Sequence, residues 1–438
     1  MQNKWKSYDV IVCGAGVAGI SAAVAAGRAG ASVLLIEKNC AIGGTATLGL
    51  NCSFEGVDTK LMGGIFSEMI EKLKERNAII MGAYAPFSIT DFQDVCLEML
   101  YAADVTILFD TVFEKFDEDG GLYLRTKNGT LLVKAHAYVD ATGDGDLAVA
   151  AGADFEMGDP ENQEIQPVSQ LFRMGNVDIQ RVLDYIAQKD QFYKEKLLFV
   201  CDVSQDPPLL IGNGFFDWVE QQKKKGLRLG REAIAIIKTP NPGEVLINAT
   251  RLSGINALDP IELSNAMREM TLQTRSLQKH LKETMPGFEN AYVIDYAPML
   301  GVRETRRIVG RYQLTQQDIE QGRRFPDAIA SNFFPIDIHG PQSNPGGYAW
   351  ILPGGDGVYD VPLRCIIPAK VDGVFVAGRC ISSSHSAHGS TRTMPCCIAT
   401  GQAAGICAAL YLDGEEESSF SKRVRAELLR QQVPLDSN

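Results

Sequence analysis

The chain has 438 residues, of which 45% are hydrophobic and 22% charged, a composition that excludes a disordered, collagen-like or small disulfide-rich protein. Its 42 basic and 54 acidic residues give a formal charge of −12, which argues against nucleic acid or anionic lipid as the main partner, because no basic excess is present to neutralise phosphates. No stretch reaches the roughly 18 uninterrupted apolar residues of a membrane span.

The first elements in chain order form a βαβ unit. A buried strand is predicted over 8–13, an Ala-rich helix over 20–29 and a second strand over 32–36. This order predicts a parallel sheet with a right-handed crossover. Helices follow over 60–76 and 89–102, strands over 105–109 and 137–140, and a small antiparallel meander over 111–136.

The second half of the chain begins with a region of different character. Residues from about 154 to 365 hold most of the polar and Pro-rich turns, a long amphipathic helix over 260–283, and strands over 291–296 and 308–314. We interpret this region as a second lobe inserted into the first. The chain then returns to a buried strand over 372–377 and a small-residue helix over 396–412, and it ends in a charged, peripheral segment.

The ten cysteines are scattered, and most lie in apolar surroundings. No CxxC or Cys/His spacing typical of zinc is found, so no metal centre is predicted. Thiols of this kind are typical of small buried hydrophobes in a reducing compartment, which predicts a cytoplasmic location.

The strongest motif is GxGxxG at Gly14, Gly16 and Gly19, between the first strand and the first helix. Gly14 permits the tight turn, Gly16 lets the backbone approach a pyrophosphate, and Gly19 lets helix and strand pack closely. The helix N-terminus offers free N–H groups to the phosphates. Glu37 ends the next strand at the expected distance, where a carboxylate accepts ribose hydroxyls and repels a 2′-phosphate.

With these residues in view, the chain resembles the FAD-dependent oxidoreductases of the glutathione-reductase-like superfamily, and within them the branch related to succinate dehydrogenase and fumarate reductase flavoproteins. Three further blocks carry the resemblance: 43–47 (GGTAT), 139–146 (VDATGDGD) and 372–380 (DGVFVAGRC). The segment 389–405 also matches. The resemblance implies an α/β fold in which a Rossmann-like FAD-binding domain, made of a parallel sheet and a β-meander, carries an inserted α+β substrate domain.

The resemblance also implies which residues contact FAD. Relatives often carry Asp where Arg379 stands, so we expect Arg379 to contact the pyrophosphate through its charge or through its backbone. The N-terminus of the last helix is expected to face the flavin N1–C2=O edge and to stabilise the reduced state. The expected cofactor-binding residues are Gly14, Gly16, Val17, Ala18, Gly19, Glu37, Lys38, Gly44, Thr45, Ala46, Thr47, Ala141, Thr142, Gly143, Asp146, Gly378, Arg379, Met394 and Cys397.

Two features of the sequence limit the chemistry. A second GxGxxG motif is missing, so a built-in nicotinamide domain is not predicted. Cys396 and Cys397 would be reactive if the helix N-terminus lowered their pKa, but we favour ordinary packing for both.

Candidate catalytic residues come from two segments. His385 and His388 lie in a predicted loop over 382–393 that should cross one face of the flavin; His385 is the first choice of base and His388 the second, with a plain polar-loop role as the alternative. Arg303, in the block 301–307, and Arg392 are candidates to hold an anionic or hydroxyl group, with an internal salt-bridge network as the alternative.

We therefore predict an FAD-dependent oxidoreductase that transfers a hydride between flavin N5 and a small polar organic substrate, by CH–OH or CH–CH oxidation or reduction, with an unknown electron acceptor. The alternatives are an NAD-binding dehydrogenase and a non-catalytic flavin-binding redox module. The predicted boundaries are 1–154 and 366–412 for the FAD-binding domain, 155–365 for the substrate domain and 413–438 for a tail.

Overall fold

The computed structural model describes residues 7–82, 84–117, 119–188, 199–202, 209–340 and 348–435. Its strands, in chain order, are β1 (Tyr8–Cys13), β2 (Val33–Ile36), β3 (Ser53–Glu55), β4 (Tyr84–Pro86), β5 (Thr106–Leu108), β6 (Val112–Phe116), β7 (Leu122–Thr126), β8 (Gly129–Val133), β9 (Ala135–Asp140), β10 (Phe155–Met157), β11 (Phe172–Gly175), β12 (Phe199–Asp202), β13 (Leu209–Gly214), β14 (Ile234–Lys238), β15 (Val245–Asn248), β16 (Tyr292–Tyr296), β17 (Arg306–Ile308), β18 (Ala328–Asn332), β19 (Ile336–His339), β20 (Tyr348–Ile351), β21 (Tyr359–Pro362) and β22 (Val374–Val376).

The α-helices are α1 (Val17–Arg28), α2 (Thr59–Met62), α3 (Gly64–Glu75), α4 (Ile89–Ala102), α5 (Asp146–Ala150), α6 (Ile179–Gln188), α7 (Phe216–Lys224), α8 (Pro260–Thr284), α9 (Gln316–Glu320), α10 (His385–Thr391), α11 (Met394–Leu410) and α12 (Glu417–Arg430). Short 3₁₀ turns cover Gly44–Ala46, Leu363–Cys365 and Gly378–Cys380.

The first lobe is built on a parallel five-stranded sheet with the order β22-β9-β1-β2-β5. Cys13, at the end of β1, pairs with Ile36 on one side and with Asp140 on the other. The carboxyl ends of these strands therefore meet at one edge of the sheet, as in doubly wound α/β folds. The predicted α/β fold with a parallel sheet is confirmed, and the antiparallel meander is present as β6-β7-β8.

Helix α11 lies directly on α1, and two glycines make this close contact possible. A Cβ atom at Gly401 would stand 2.2 Å from the carbonyl oxygen of Ala18, and one at Gly405 would stand 2.0 Å from that of Ala22. Real Cβ atoms do not approach a backbone oxygen so closely. Only glycine at these two positions lets α11 reach the sheet, which brings its N-terminus to the edge where α1 also begins.

The second lobe has an antiparallel sheet with the order β12-β13-β14-β15-β11-β16 and a hydrophobic core of its own between Phe172 and Ala291. Helix α8, which begins at Pro260 with Asp259 as its N-cap, buries Leu277 and Leu281 in that core. Side chains from Ile308 onward instead join the core of the first lobe. The predicted domain boundaries stay a prediction.

Three element predictions are wrong. The helix over 60–76 is interrupted at Gly63, where φ is +57°, and becomes α2 and α3. The strand over 308–314 ends at Ile308, because the backbone beyond it bonds to separate segments rather than to one neighbouring strand. The segment 382–393, predicted as a loop, contains α10, which Ser384 caps by accepting from the Ala387 N–H.

The charged C-terminal segment, which was predicted to be peripheral, forms a helix that packs against the first core. Phe420, Val424 and Leu428 repeat every four residues, so they share one face of α12, and all three are buried in the first core. Val433 and Leu435 continue this contact beyond the helix.

Within the described residues, no single helix is both long and apolar enough to cross a membrane. Together, α10 and α11 are long and apolar enough for a membrane span, but the pair bends by 92° at the break between the two helices.

Replacing Gly405 by Ala tests the contact between α1 and α11. We expect the free energy of unfolding to fall by about 1–3 kcal/mol, although Ala is the better helix former, because the new methyl group collides with backbone. Urea unfolding measures this. Ala409→Val, on the same helix at a half-buried position, is the control and should cost less than about 1 kcal/mol. Wild-type stability of Gly405→Ala would contradict the contact.

Candidate functional site

The glycine-rich turn is shaped by two close backbone contacts and leaves one position open. Gly14 has φ of +94°, and a Cβ there would stand 2.6 Å from the carbonyl oxygen of Ala141. A Cβ at Gly19 would stand 1.8 Å from the oxygen of Gly14, so β1, α1 and the end of β9 are packed through backbone. At Gly16, by contrast, a Cβ would meet no atom within 4 Å. The turn therefore leaves the backbone open at Gly16, the N-cap of α1. Because glycine has no side chain, no side-chain cap occupies the first N–H groups of the helix.

Glu37 holds this turn in place from β2. One carboxylate oxygen accepts from the Ala15 N–H at 2.8 Å, and the other accepts from the backbone and side chain of Asn39 at 2.9 and 2.6 Å. These bonds occupy three of the roughly four acceptor positions of a carboxylate. Glu37 thus has capacity left for about one further donor, fewer than the two ribose hydroxyls that the sequence suggested.

The segment 43–47 lies beside the same turn. The Gly43 N–H donates to the Ala15 carbonyl at 2.8 Å, and a Cβ at Gly44 would stand 3.1 Å from the Cα of Gly16. Thr47 is buried and donates its hydroxyl to the Ile42 carbonyl, while Thr45 is exposed. Of the two threonines, only Thr45 has a side chain available to a ligand in solvent.

The turn after β9 carries two acidic residues, Asp144 and Asp146, which pair with different arginines. The Arg379 guanidinium donates to Asp144 at 2.7 Å and to the Thr305 hydroxyl at 2.8 Å, and Asp146 pairs with Arg306. The Arg379 side chain, from which a pyrophosphate contact was predicted, is therefore largely neutralised by Asp144. The nearby Arg379 charge also holds the pKa of Asp144 below its usual value, against the effect of burial.

The N-terminus of α11 completes this edge. Thr393 is its N-cap without a side-chain cap bond, and Pro395 lies in the first turn. Burial raises the pKa of Cys397 to about 12, and that of Cys396 well above its usual value, so both thiols stay protonated. Their environment favours ordinary packing over reactivity. Gly378 packs between Ala18 and Cys397, which links this helix to the glycine-rich turn.

His385 is part of a buried hydrogen-bond network. Its Nδ1 lies 2.9 Å from Oε1 of Glu304, which is fully buried and also pairs with Arg307. Because a carboxylate can only accept, Nδ1 carries the proton and Nε2 keeps a lone pair. The Arg307 guanidinium also donates to the carbonyls of Ser383 and Gly158 at 3.0 Å. This network fixes the tautomer and orientation of His385, as the carboxylate does in catalytic triads.

His388 differs from its neighbour on α10. It is fully buried, and its Nε2 donates to the Arg379 carbonyl at 3.0 Å. Burial and the nearby arginine charges hold its pKa well below the usual value, so the ring is neutral. Its other nitrogen, Nδ1, is buried without a hydrogen-bond partner among the described residues. The choice of His388 as second base is therefore not supported by its surroundings.

Five side chains from four segments form what we call the arginine cluster: Arg251, Arg303, Asp337, His339 and Arg392. Arg392 donates to the Asp337 carboxylate at 3.0 Å and to its carbonyl at 3.1 Å. Arg251 lies 3.0 Å from Nδ1 of His339, and Nε2 of that ring lies 3.4 Å from the Asp337 carboxylate. The two candidate arginines of the sequence thus meet in one place.

Arginines outnumber carboxylates among the five members of the arginine cluster. Burial and the nearby arginines lower the pKa of His339 to about 3, so the ring is neutral. Asp337 is the one carboxylate of the cluster, and the Glu232 charge also acts on Arg251. Burial, then Arg392 and Arg251, lowers the pKa of Arg303 to about 9. The hydrogen bonds of Arg303 within the described residues go to neutral groups, the Pro167 carbonyl at 2.6 Å and the Ser169 hydroxyl at 3.3 Å. An anion would therefore be stabilised here.

A pocket of about 170 Å³ joins the buried network of His385 to the arginine cluster, because residues of both line it. His385 and His339 line it, and so does Gln166, whose buried side-chain amide has no hydrogen-bond partner among the described residues. Ile336 and Ile338 form part of the apolar wall of the pocket. The pocket suits a small molecule that is partly polar.

Sequence reasoning missed Arg251 and Glu55. Glu55 ends β3 and is influenced by the charges of Asp337, Arg392 and Arg303. No local motif surrounds either residue. For Glu55 the signal was a charged residue next to a phenylalanine in a short strand, SFE at 53–55, and Arg251 lies outside the strands.

A parallel sheet whose carboxyl edge carries an open glycine turn, a carboxylate on the second strand and two uncapped helix N-termini defines a dinucleotide-binding protein. The chain belongs to the FAD dependent oxidoreductase family, whose profile matches residues 9–433. It is therefore an enzyme with FAD as its cofactor and a general role in flavin redox chemistry.

The solved structures that resemble the chain are remote. A geranylgeranyl bacteriochlorophyll reductase-like protein from Thermoplasma acidophilum is 14% identical, with a TM-score of 0.45 over 97% of this chain and 82% of that one. A flavin-dependent brominase is 12% identical, with a TM-score of 0.48 over 96% and 83%. The myxobacterial chondrochloren halogenase is 13% identical, with a TM-score of 0.45 over 98% and 79%. No curated protein sequence matches the chain.

The residues at the sheet edge fit FAD. The space at Gly16 admits a pyrophosphate against the backbone, the uncapped N-terminus of α1 supplies N–H donors, and Glu37 retains acceptor capacity. The uncapped N-terminus of α11 supplies positive potential at the other end of the same edge.

Replacing Gly16 by Ala should separate cofactor binding from folding. The methyl group meets no protein atom, so the unfolding temperature should stay unchanged, but it occupies the space for the pyrophosphate and should weaken FAD binding roughly tenfold or more. Quenching of flavin fluorescence by the apoprotein measures the affinity. Gly19→Ala should instead destabilise the fold. Unchanged FAD affinity in a folded Gly16→Ala would contradict this placement.

Proposed function

We propose that the enzyme transfers a hydride between flavin N5 and a small polar organic substrate that carries an anionic group, by oxidising or reducing a CH–OH or CH–CH unit. The observation that carries the proposal is the Arg303 guanidinium, a partly buried cation whose hydrogen-bond partners are neutral and whose charge acts on His339. His339 lines the same pocket as His385. When bound, FAD supplies the two-electron acceptor or donor for this reaction.

His385 is proposed as the acid–base group. In the oxidative direction its Nε2 accepts the hydroxyl proton of the substrate while the hydride leaves carbon. The Glu304 carboxylate stabilises the imidazolium that results, and the Arg307 guanidinium holds that carboxylate in place. The pocket that His385 shares with Gln166 provides room for the reacting carbon and for one polar neighbour group.

The arginine cluster is proposed to hold the anionic group. Arg303 has the donors to bind a carboxylate in a bidentate way, and Arg392, which already holds Asp337, would orient the site. His339 lies between this cluster and the pocket, because it both contacts Arg251 and lines the cavity. A substrate with an anionic end and a reacting polar end would occupy both regions.

Family membership argues against the two alternatives, since the family is FAD-dependent and enzymatic. We retain the cytoplasmic location as a proposal, on the ground that the described cysteines are unpaired thiols, most of them buried.

Reduction of the oxidised enzyme in a stopped-flow screen of hydroxy acids, sugars and polyols tests the substrate class. Hydroxy acids should reduce the flavin, and the matched neutral polyols should not, because only the acids supply the anion for Arg303. Reduction by neutral polyols at equal rates would contradict the anionic group.

His385→Ala should leave FAD bound and slow flavin reduction by about 10²- to 10⁴-fold, the usual contribution of a general base. Stopped-flow absorbance with a substrate from the screen measures the rate. His136→Ala, at an exposed position whose ring contacts the Tyr411 carbonyl, is the control and should reduce at the native rate. A native rate in His385→Ala would show that another group takes the proton.

Arg303→Gln should weaken the binding of the same substrate about 10- to 100-fold, since one charge-assisted hydrogen bond is lost. The effect should appear in the half-saturating concentration of the reduction rate, and Arg303→Lys should recover part of it. Arg181→Gln, which removes an exposed arginine paired with Glu289, is the control. Equal binding by the Arg303→Gln and wild-type proteins would exclude Arg303 from the anion site.

A further inference from the structure

Gln166 is a buried polar residue whose side chain the proposed hydride transfer does not use. It is 2% exposed and lines the pocket that His385 and His339 share. Among the described residues, neither the amide nitrogen nor the amide oxygen of its side chain has a hydrogen-bond partner. Buried polar groups are nearly always paired, and leaving one unpaired costs folding free energy. A ligand in the pocket would supply the partner that the described part of the protein does not.

The backbone of Gln166 is bonded to the carboxylate that positions His385. The Gln166 N–H donates to Oε2 of Glu304 at 3.1 Å, and Oε1 of the same carboxylate lies 2.9 Å from Nδ1 of His385. Glu304 is itself fully buried and paired with Arg307. One fixed carboxylate therefore holds both the proposed acid–base group and the backbone from which the Gln166 side chain extends.

The residues that follow Gln166 are bonded to the proposed anion anchor. The Arg303 guanidinium donates to the Pro167 carbonyl at 2.6 Å and to the Ser169 hydroxyl at 3.3 Å. The short segment 166–169 thus contacts the network of His385 at its first residue and Arg303 at the next ones. A substrate that reaches from Arg303 to His385 would pass beside this segment.

The other polar groups of the pocket indicate what kind of ligand it would hold. Asp159 and Glu164 are half-buried carboxylates in its lining, and Ser386 also lines it. Carboxylates accept hydrogen bonds from hydroxyl groups and repel a second anion. The anionic end of a substrate is therefore favoured at the arginine cluster, and the part of it inside the pocket is favoured to be neutral and to carry hydroxyl groups.

We propose that Gln166 is a specificity-determining residue that binds a second hydroxyl group of the substrate, next to the group that reacts at His385. The substrate class is then the polyhydroxy acids, of which sugar acids are an example, rather than acids with a single hydroxyl. The inference rests on the proposed function, because that function supplies the anionic end at Arg303 and the reacting end at His385.

The chemistry of the Gln166 amide explains why the second hydroxyl would matter. The amide offers an acceptor oxygen and two N–H donors, and a hydroxyl group can both donate to the one and accept from the other. An acid without this hydroxyl would cover the amide and leave it unpaired. Such an acid should bind about 10- to 100-fold more weakly, since the site is left with a buried polar group that no partner satisfies.

The stability of Gln166→Met separates ligand recognition from a structural role. Methionine has a similar size, and the backbone N–H that bonds to Glu304 is unchanged. Because the amide bonds to no described residue, the unfolding temperature of the FAD-loaded variant should stay the same or rise. A lower unfolding temperature would show that the amide stabilises the fold, and would overturn the proposal.

Binding of glycerate and lactate, which differ by one hydroxyl group, tests the recognition. The FAD-loaded enzyme is mixed with each enantiomer of both acids in a stopped-flow instrument. The acid concentration that half-saturates the flavin absorbance change is the measured quantity, whether the change comes from binding or from reduction. Wild type should require about 10- to 100-fold less glycerate than lactate, and Gln166→Met should require similar concentrations of both. Gln317→Met, at an exposed position on α9, is the control and should keep the wild-type ratio.

The outcomes distinguish this inference from the proposed function. If wild type responds equally to both acids, or if Gln166→Met keeps the wild-type preference, the role of Gln166 is overturned while the anion site stands. If neither acid changes the flavin absorbance of wild type, the proposed anionic substrate is itself overturned and the inference with it.

Discussion

Close backbone contact at the carboxyl edge of the parallel sheet is the constraint on which the rest of the structure depends. Gly19 lies against Gly14, Gly14 lies against Ala141, and α11 lies on α1 through Gly401 and Gly405. Side chains at these positions would push the elements apart. Because none is present, the N-termini of α1 and α11 reach the same edge, where both dipoles favour negative charge. The cofactor site is thus a consequence of how tightly the first lobe packs.

Most of this lobe could be predicted because its signals are local. The buried apolar run of β1, the glycine motif and Glu37 occur within 30 residues, and the meander carries its own turns. The wrong element predictions lie where contacts with residues distant in sequence determine the local structure. Helix α10 forms over small polar residues because it packs on β19, where a Cβ at Gly389 would stand 2.8 Å from the Asp337 carbonyl. Likewise, α12 is charged in composition and is held by the three apolar side chains that it buries.

The residues of the candidate site also divide into those with a recognisable sequence signal and those that only the fold brings together. Arg303 and Arg392 were chosen for their chemistry. In the structure Arg392 contacts Asp337, and the Arg303 charge acts on the same carboxylate. Arg251 could not be chosen, because it lies outside the strands and its contact with His339 depends on a fold that joins residues 251 and 339 in space. Sequence proximity misled in one case: His388 shares a helix with His385 but is buried against the Arg379 carbonyl.

The two histidines of α10 and His339 show how position in the protein, rather than residue type, decides which group can exchange a proton. His388 and His339 are surrounded by arginines and by buried surface, which keep both rings neutral. His385 instead has a fully buried carboxylate behind it and an open pocket in front, an arrangement that stabilises a proton taken from a ligand. The neutrality of His339 matters for the anion as well. A neutral ring adds no charge of its own, so the positive charge that would hold an anion lies on the arginines of the cluster.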